Sequence, residues 1–159
     1  GLSMGQISDI RDDGALVHAG TCFLKQASTT AGGGQYPQLQ LFNPAGSGKI
    51  IRLEKVVVAC SFGAPIYGGF GTVQLASALS APSNKLLGGA AGVALSRSEN
   101  AAAVVASTSF CFVHVAANVS DEMVFKKPVE IPAGYGFCLY ANYVASSLYA
   151  NFDFEERTA

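Results

Sequence analysis

The sequence predicts an all-β, single-domain, jelly-roll-like β-sandwich of about eight strands, preceded by an N-terminal arm. Three observations carry that expectation. Apolar and polar residues alternate with period 2 in several segments, the pattern of a half-buried strand. Gly and Pro clusters separate those segments, as turns do in sandwiches and jelly rolls. No segment repeats apolar residues at helical spacing over a normal helix length. With 159 residues the chain is one domain able to bury a substantial core. The expected division is an arm over residues 1–14 and a sandwich over residues 15–159.

The elements follow in order. Residues 2–13 have mixed polarity and end in the turn-like Asp12-Asp13-Gly14, which suits an arm or a short helix. A strand is expected around Cys22-Phe-Leu24, then a flexible loop over 26–35, where Ser28-Thr-Thr30 and Gly32-Gly-Gly34 cluster. From Pro37 to Phe42, Leu39 and Leu41 face one way and Gln38 and Gln40 the other. Asn43-Pro-Ala-Gly-Ser-Gly-Lys49 reads as a hairpin connection. Ile50 to Phe62 is the longest candidate strand: Ile51 and Leu53 oppose Arg52 and Glu54, and Val56-Val-Val58 is expected to be buried on both faces. Residues 63–71, with Pro65 and several glycines, are expected as a turn, 72–76 as a short strand, and 86–105 as a loop-rich connection. Ser107 to Ala117 sets Phe110, Phe112 and His114 against Ser109, Cys111, Val113 and Val115. A short strand at Met123–Phe125 and a strand end at Val129–Ile131 precede the turn Pro132-Ala-Gly-Tyr-Gly136. Phe137 to Val144 shows Phe137, Leu139, Ala141 and Tyr143 on one face. In the last strand Leu148, Ala150, Phe152 and Phe154 alternate with Tyr149, Asn151, Asp153 and Glu155.

Composition narrows the function classes. Half of the residues are hydrophobic and 13% are charged, against about 25% in typical soluble domains. Between Val56 and Ser120 only Lys85, Arg97 and Glu99 carry charge. Such a surface suits association with other subunits, because interface cores are depleted in charge. The net charge is −1 and the longest basic cluster is Lys126-Lys127. Nucleic-acid binding needs a basic face, so no nucleic-acid partner is expected. Electrostatic attachment to a membrane is disfavoured on the same ground, and no apolar run reaches the length of a membrane helix.

No catalytic, cofactor-binding or metal site is expected. The turn ending in Gly48-Lys49 departs from the phosphate loop G-x-x-x-x-G-K-[ST]: Asn43 stands at the first glycine and Ile50 at the metal-binding hydroxyl. Lys49 is therefore expected as a solvated turn residue or an intersubunit ion-pair partner. Cys22, Cys60, Cys111 and Cys138 are well separated, without the C-x-x-C of a zinc cluster, and are expected as free thiols. His18 and His114 have no local catalytic signature. A glycosidase would need two carboxylates across a cleft, whereas Glu155-Glu156 reads as a solvated chain end. Tyr135, Tyr140, Tyr143 and Tyr149 could serve carbohydrate or protein binding, or pack within the sheet or between subunits.

Two segments carry a resemblance. Tyr36-Pro-Gln-Leu-Gln-Leu-Phe-Asn-Pro-Ala-Gly-Ser-Gly-Lys-Ile-Ile51 is one; Glu130-Ile-Pro-Ala-Gly-Tyr-Gly-Phe137, followed by Ala150-Asn-Phe-Asp-Phe-Glu-Glu156, is the other. Together they resemble small β-sandwich virion proteins of tailed bacteriophages, of the capsid decoration, cement or tail-fibre type. The resemblance implies a jelly-roll-like fold, homotrimeric assembly and a place on the virion surface. It implies as partner the major capsid protein or other virion proteins, and it brings no enzymatic residue. The expected role is a decoration protein that stabilises the head by bridging capsomers, with Leu2, Met4, Ile7, Ile10 and Arg11 as candidate capsid contacts. The alternative is a tail-fibre or tail-tip module that binds a host glycan or protein through residues 63–71 and 81–100.

Overall fold

The computed structural model describes residues 14–105 and 108–159. A helical turn over residues 14–18 leads into eleven strands: β1 Cys22–Thr30, β2 Tyr36–Asn43, β3 Lys49–Cys60, β4 Ala64–Gly71, β5 Ser77–Ala78, β6 Ser83–Asn84, β7 Leu95–Ala101, β8 Thr108–Val115, β9 Asp121–Ile131, β10 Tyr135–Ala141 and β11 Ser147–Thr158. They form two antiparallel sheets, ordered β6-β1-β11-β3-β9 and β5-β7-β2-β10-β4-β8. Without β5, β6 and β7, the order is β1-β11-β3-β9 against β2-β10-β4-β8, an eight-stranded jelly roll. The three extra strands come from the long connection between β4 and β8 and extend one edge of each sheet.

The core is what the alternation demands. Leu148, Ala150, Phe152 and Phe154 of β11 face Leu39 and Leu41 of β2 and Phe137 and Leu139 of β10, all buried. In β3 the inward set switches parity, from Ile51 and Leu53 to Val56, Val58 and Cys60. A register shift between Leu53 and Lys55 against β9 causes the switch, because one extra residue exchanges the two faces. Val57 is only half-buried, so this stretch is not buried on both sides as the apolar run predicted.

Several boundaries differ from expectation, each for a physical reason. Residues 26–30 continue β1, because they pair with β11 as far as Thr30 opposite Ser147. Residues 64–71 are strand despite their glycines. A Cβ at Gly68 would lie 2.7 Å from the Phe137 ring, and one at Gly69 would meet the carbonyl of Thr108 at a bulge, so glycine here permits close packing. Residues 72–76 form no strand, and 95–101 form one that pairs with β2. Asp121–Ile131 is one long strand; it tolerates Pro128 because β9 is an edge. Tyr143 lies beyond the end of β10. Residues 44–48 join strands of different sheets, so they form a corner between layers and not a hairpin.

Gln38 and Gln40 are buried, not on a wet face. The connection between β4 and β8 folds over them. Gln40 donates to the Val73 carbonyl at 2.9 Å and accepts from the Leu75 amide at 2.9 Å. Gln38 donates to the Ala103 carbonyl at 3.0 Å and accepts from the Val105 amide at 2.8 Å. Each primary amide thus satisfies one donor and one acceptor of a loop that has no ladder there.

The two ends of the sandwich are built differently. At one end lie the helical turn, the 44–48 corner, the 132–134 turn and the long connection. Buried Asn43 ties two of these: its amide donates to the carbonyls of Lys49 at 2.8 Å and Ile131 at 2.9 Å, and its Oδ1 accepts from Ser47 at 2.6 Å. The Gly134 amide adds a bond to the Asn43 carbonyl. Glu156, also buried, accepts from the amides of Val93 and Ala94 at 2.9 Å. A Cβ on Gly92 would collide with that carboxylate. Glu155 is 1% exposed and meets Arg52 at 3.2 Å and also Arg157. The acidic pair is therefore internal and not a solvated chain end. At the other end lie the short loops 31–35, 61–63, 116–120 and 142–146, joined by backbone bonds such as Ala145 to Gln35 and Asn118 to Cys60.

Candidate functional site

The residues with chemical potential do not converge. His18 and His114 are exposed on different elements, and no group of three or more His, Cys, Asp or Glu able to hold a metal occurs among the described residues. All four cysteines are free. Burial raises the thiol pKa of Cys22 and Cys111 and pushes that of Cys138 up to about 11, so these thiols stay protonated at neutral pH and are not activated nucleophiles. Glu54 and Asp153 line one shallow depression of about 360 Å³ together with Lys55 and Lys126. Asp153 is already held by Lys85 at 2.7 Å. Lys49, half-buried, opens β3 with its amide on the Ser47 hydroxyl. The candidate capsid contacts Leu2, Met4, Ile7, Ile10 and Arg11 lie outside the described residues.

What the fold does assemble is an aromatic surface. Tyr140 of β10 stands directly opposite Tyr67 of β4, which stands opposite Phe112 of β8. Ring centroids are 5.2 Å apart in the first pair and 5.8 Å in the second. These side chains point away from the core, since their strand neighbours Leu139 and Ile66 point in. The row ends at Phe112, 64% exposed on the edge strand. Next to it Phe110 is turned by the bulge against Phe70 and Phe137 while remaining partly exposed.

The aromatic row itself carries no charge, although through Gln38 it continues across the sheet to Glu99 of β7. The three charges between Val56 and Ser120 each have a partner away from the three rings. Lys85 pairs with Asp153. Arg97 donates to the carbonyls of Leu75 and Ala76, and Glu99 accepts from the Ala76 amide. The two neighbouring edges also differ. Edge strand β9 carries Lys126-Lys127-Pro128, the residues that discourage edge-to-edge pairing. Edge strand β8 has no Lys and no Pro.

The sequence placed Phe110, Phe112 and His114 on one face of a strand; Phe112 and His114 stay together opposite Tyr67 and Pro65, while the bulge turns Phe110 onto Phe70 and Phe137. The sequence did not place Tyr67 beside them, because the glycines around Tyr67 concealed β4. The period-2 repeat of Tyr67 with Pro65 and Gly69 was the available signal. The alternative contact segment 63–71 is thus mostly strand, contributing Tyr67 to this face and not a loop. The 81–100 segment belongs to the connection that covers β2 and extends the sheet edges. Comparison with family models, with curated proteins and with solved structures finds no match to this chain.

Proposed function

We propose that this chain is a virion structural protein of a tailed bacteriophage, a capsid decoration or cement protein that stabilises the head by bridging capsomers as a homotrimer. The observation that carries the reading is the uncharged aromatic face Tyr140–Tyr67–Phe112 beside the unprotected β8 edge. A surface of that kind is suited to burial between subunits, where aromatic residues are enriched and charges scarce. The motifs that resemble phage virion proteins support it as well. Their residues here hold the fold, as Asn43 and Glu156 do, and leave the exterior free for contacts. The role is mechanical and needs no cofactor or turnover. Its partners are copies of itself and the major capsid protein, reached through Leu2, Met4, Ile7, Ile10 and Arg11.

Light scattering on the purified chain should give a trimer, and Phe112→Asp should weaken it. A stable monomer at micromolar concentration counts against the trimer. Imaging of particles that carry the chain with a recognisable tag should place many copies on the head. Copies confined to the tail would favour the second reading, a tail-fibre or tail-tip binding module. That reading draws on the exposed Phe62–Tyr143 pair at the short-loop end. Absence from the particle overturns both.

A further inference from the structure

The short-loop end has features that a bridging role does not use. None of the residues in loops 31–35, 61–63, 116–120 and 142–146 is charged. Phe62 and Tyr143, from different loops, stack with ring centroids 4.6 Å apart and planes 10° apart, and each is 43% exposed. The same set of loops exposes the amides Asn118 and Asn142 and the hydroxyl Ser120.

The end is also held rigid. Ala145 donates to the Gln35 carbonyl and Ala31 to that of Ser146. The Ser61 hydroxyl accepts from the Ser147 amide at 2.8 Å, and Ser146 donates to the Tyr143 carbonyl at 2.7 Å. Among the described residues the non-glycine positions with left-handed backbone are Asn118 and Ala145, both at this end. Strained backbone concentrates at sites of function.

We infer that this end of the sandwich is a binding site for an uncharged saccharide, with the Phe62–Tyr143 pair as its apolar platform. Sugar rings offer patches of C–H that rest on aromatic surface, and hydroxyls that need amide and hydroxyl partners. Aromatic, Asn, Ser and Gly residues on a fixed scaffold supply both at low entropic cost. The absence of charge selects against acidic sugars, which would be desolvated here without a counter-ion. Of Trp, Arg and Tyr, the residue types that anchor protein interfaces, these loops supply Tyr143 alone. The inference goes beyond the bridging role and holds whether the chain sits on head or tail.

The test is titration of the full chain, in the oligomer it forms, with uncharged oligosaccharides of glucose, galactose, mannose and N-acetylglucosamine. Polygalacturonate is the charged comparison, and backbone amide shifts locate the site. At least one uncharged sugar should bind, with shifts confined to the four loops. Affinity should fall about tenfold or more in Tyr143→Ala and in Phe62→Ala, and stay within a few-fold in Tyr143→Phe. Asn142→Asp, which adds a charge without removing the platform, should weaken binding also if the Ala variants fold poorly. Leu87→Ala, an exposed apolar residue in the long connection, should bind like the parent. The inference is overturned if no uncharged sugar binds at about 10 mM, if polygalacturonate binds more tightly, or if the shifts lie elsewhere. It is overturned too if hydrogen exchange shows the four loops protected by a protein partner and no sugar competes.

Discussion

One end of this sandwich is fastened by buried amide and carboxylate side chains, the other chiefly by its backbone with the hydroxyls of Ser61 and Ser146. At the fastened end Asn43, Glu155 and Glu156 are buried and bond to neighbouring segments, Glu155 through Oε1. At the short-loop end the loops bond mainly through main-chain N–H and C=O groups, with Ser61 and Ser146 adding hydroxyl bonds, and Phe62, Asn118, Asn142 and Tyr143 remain exposed. A long irregular connection needs buried polar side chains, because its backbone has no ladder to satisfy it. Short loops satisfy themselves, which frees their side chains for a ligand. Position in the topology, more than residue type, decides which polar residues serve stability and which remain available.

Substitutions at the two ends should separate by magnitude. Asn43→Ala should cost about 3 kcal/mol by chemical denaturation, because it strands the buried Ile131 carbonyl and removes the bonds to the Lys49 carbonyl and the Ser47 hydroxyl. Glu156→Ala should cost about 2–3 kcal/mol, since hydrogen bonds to a charged group are the stronger kind. It should also raise amide exchange at Val93 and Ala94. Tyr143→Ala should cost only about 1 kcal/mol, the value of one aromatic pair at a half-exposed site. If it costs as much as Asn43→Ala, the short-loop end is as structural as the other and the contrast fails. Ala145→Gly should leave stability unchanged or raise it by about 0.5 kcal/mol. Relief of left-handed strain at φ 56° is offset by the greater freedom of glycine in the unfolded chain.

Much of the sandwich was legible in the sequence, and the failures are instructive. β11 was read with its inward set correct, because Leu148 to Phe154 alternate without interruption. β4 was missed because its glycines look like turn residues; only the neighbours Phe137 and Thr108 explain why they are needed. Gln38 and Gln40 read as solvent-facing because the loop that buries them is distant in sequence. The same holds for Glu155 and Glu156: two adjacent acids near a chain end look solvated until Arg52 and the 92–94 loop are placed beside them. The low charge from Val56 to Ser120 was visible, but not which surface it served. That required knowing that Arg97 and Glu99 bond to the 75–76 backbone and Lys85 to Asp153. The aromatic row and the Phe62–Tyr143 stack join residues that no local pattern relates.

The place of β11 has a consequence for how the protein is made. It lies between β1 and β3 and pairs with both along most of their lengths. Thr30 and Ser147, which meet through their hydroxyls, are 117 positions apart. Translation proceeds at about 5–20 residues per second. For many seconds, then, a nascent chain holds β1 and β3 with facing edges open and nothing to fill them. The first sheet cannot close until β11 has left the ribosome. Folding is thus gated by the completion of one late strand, and chains interrupted before it should be open to proteolysis.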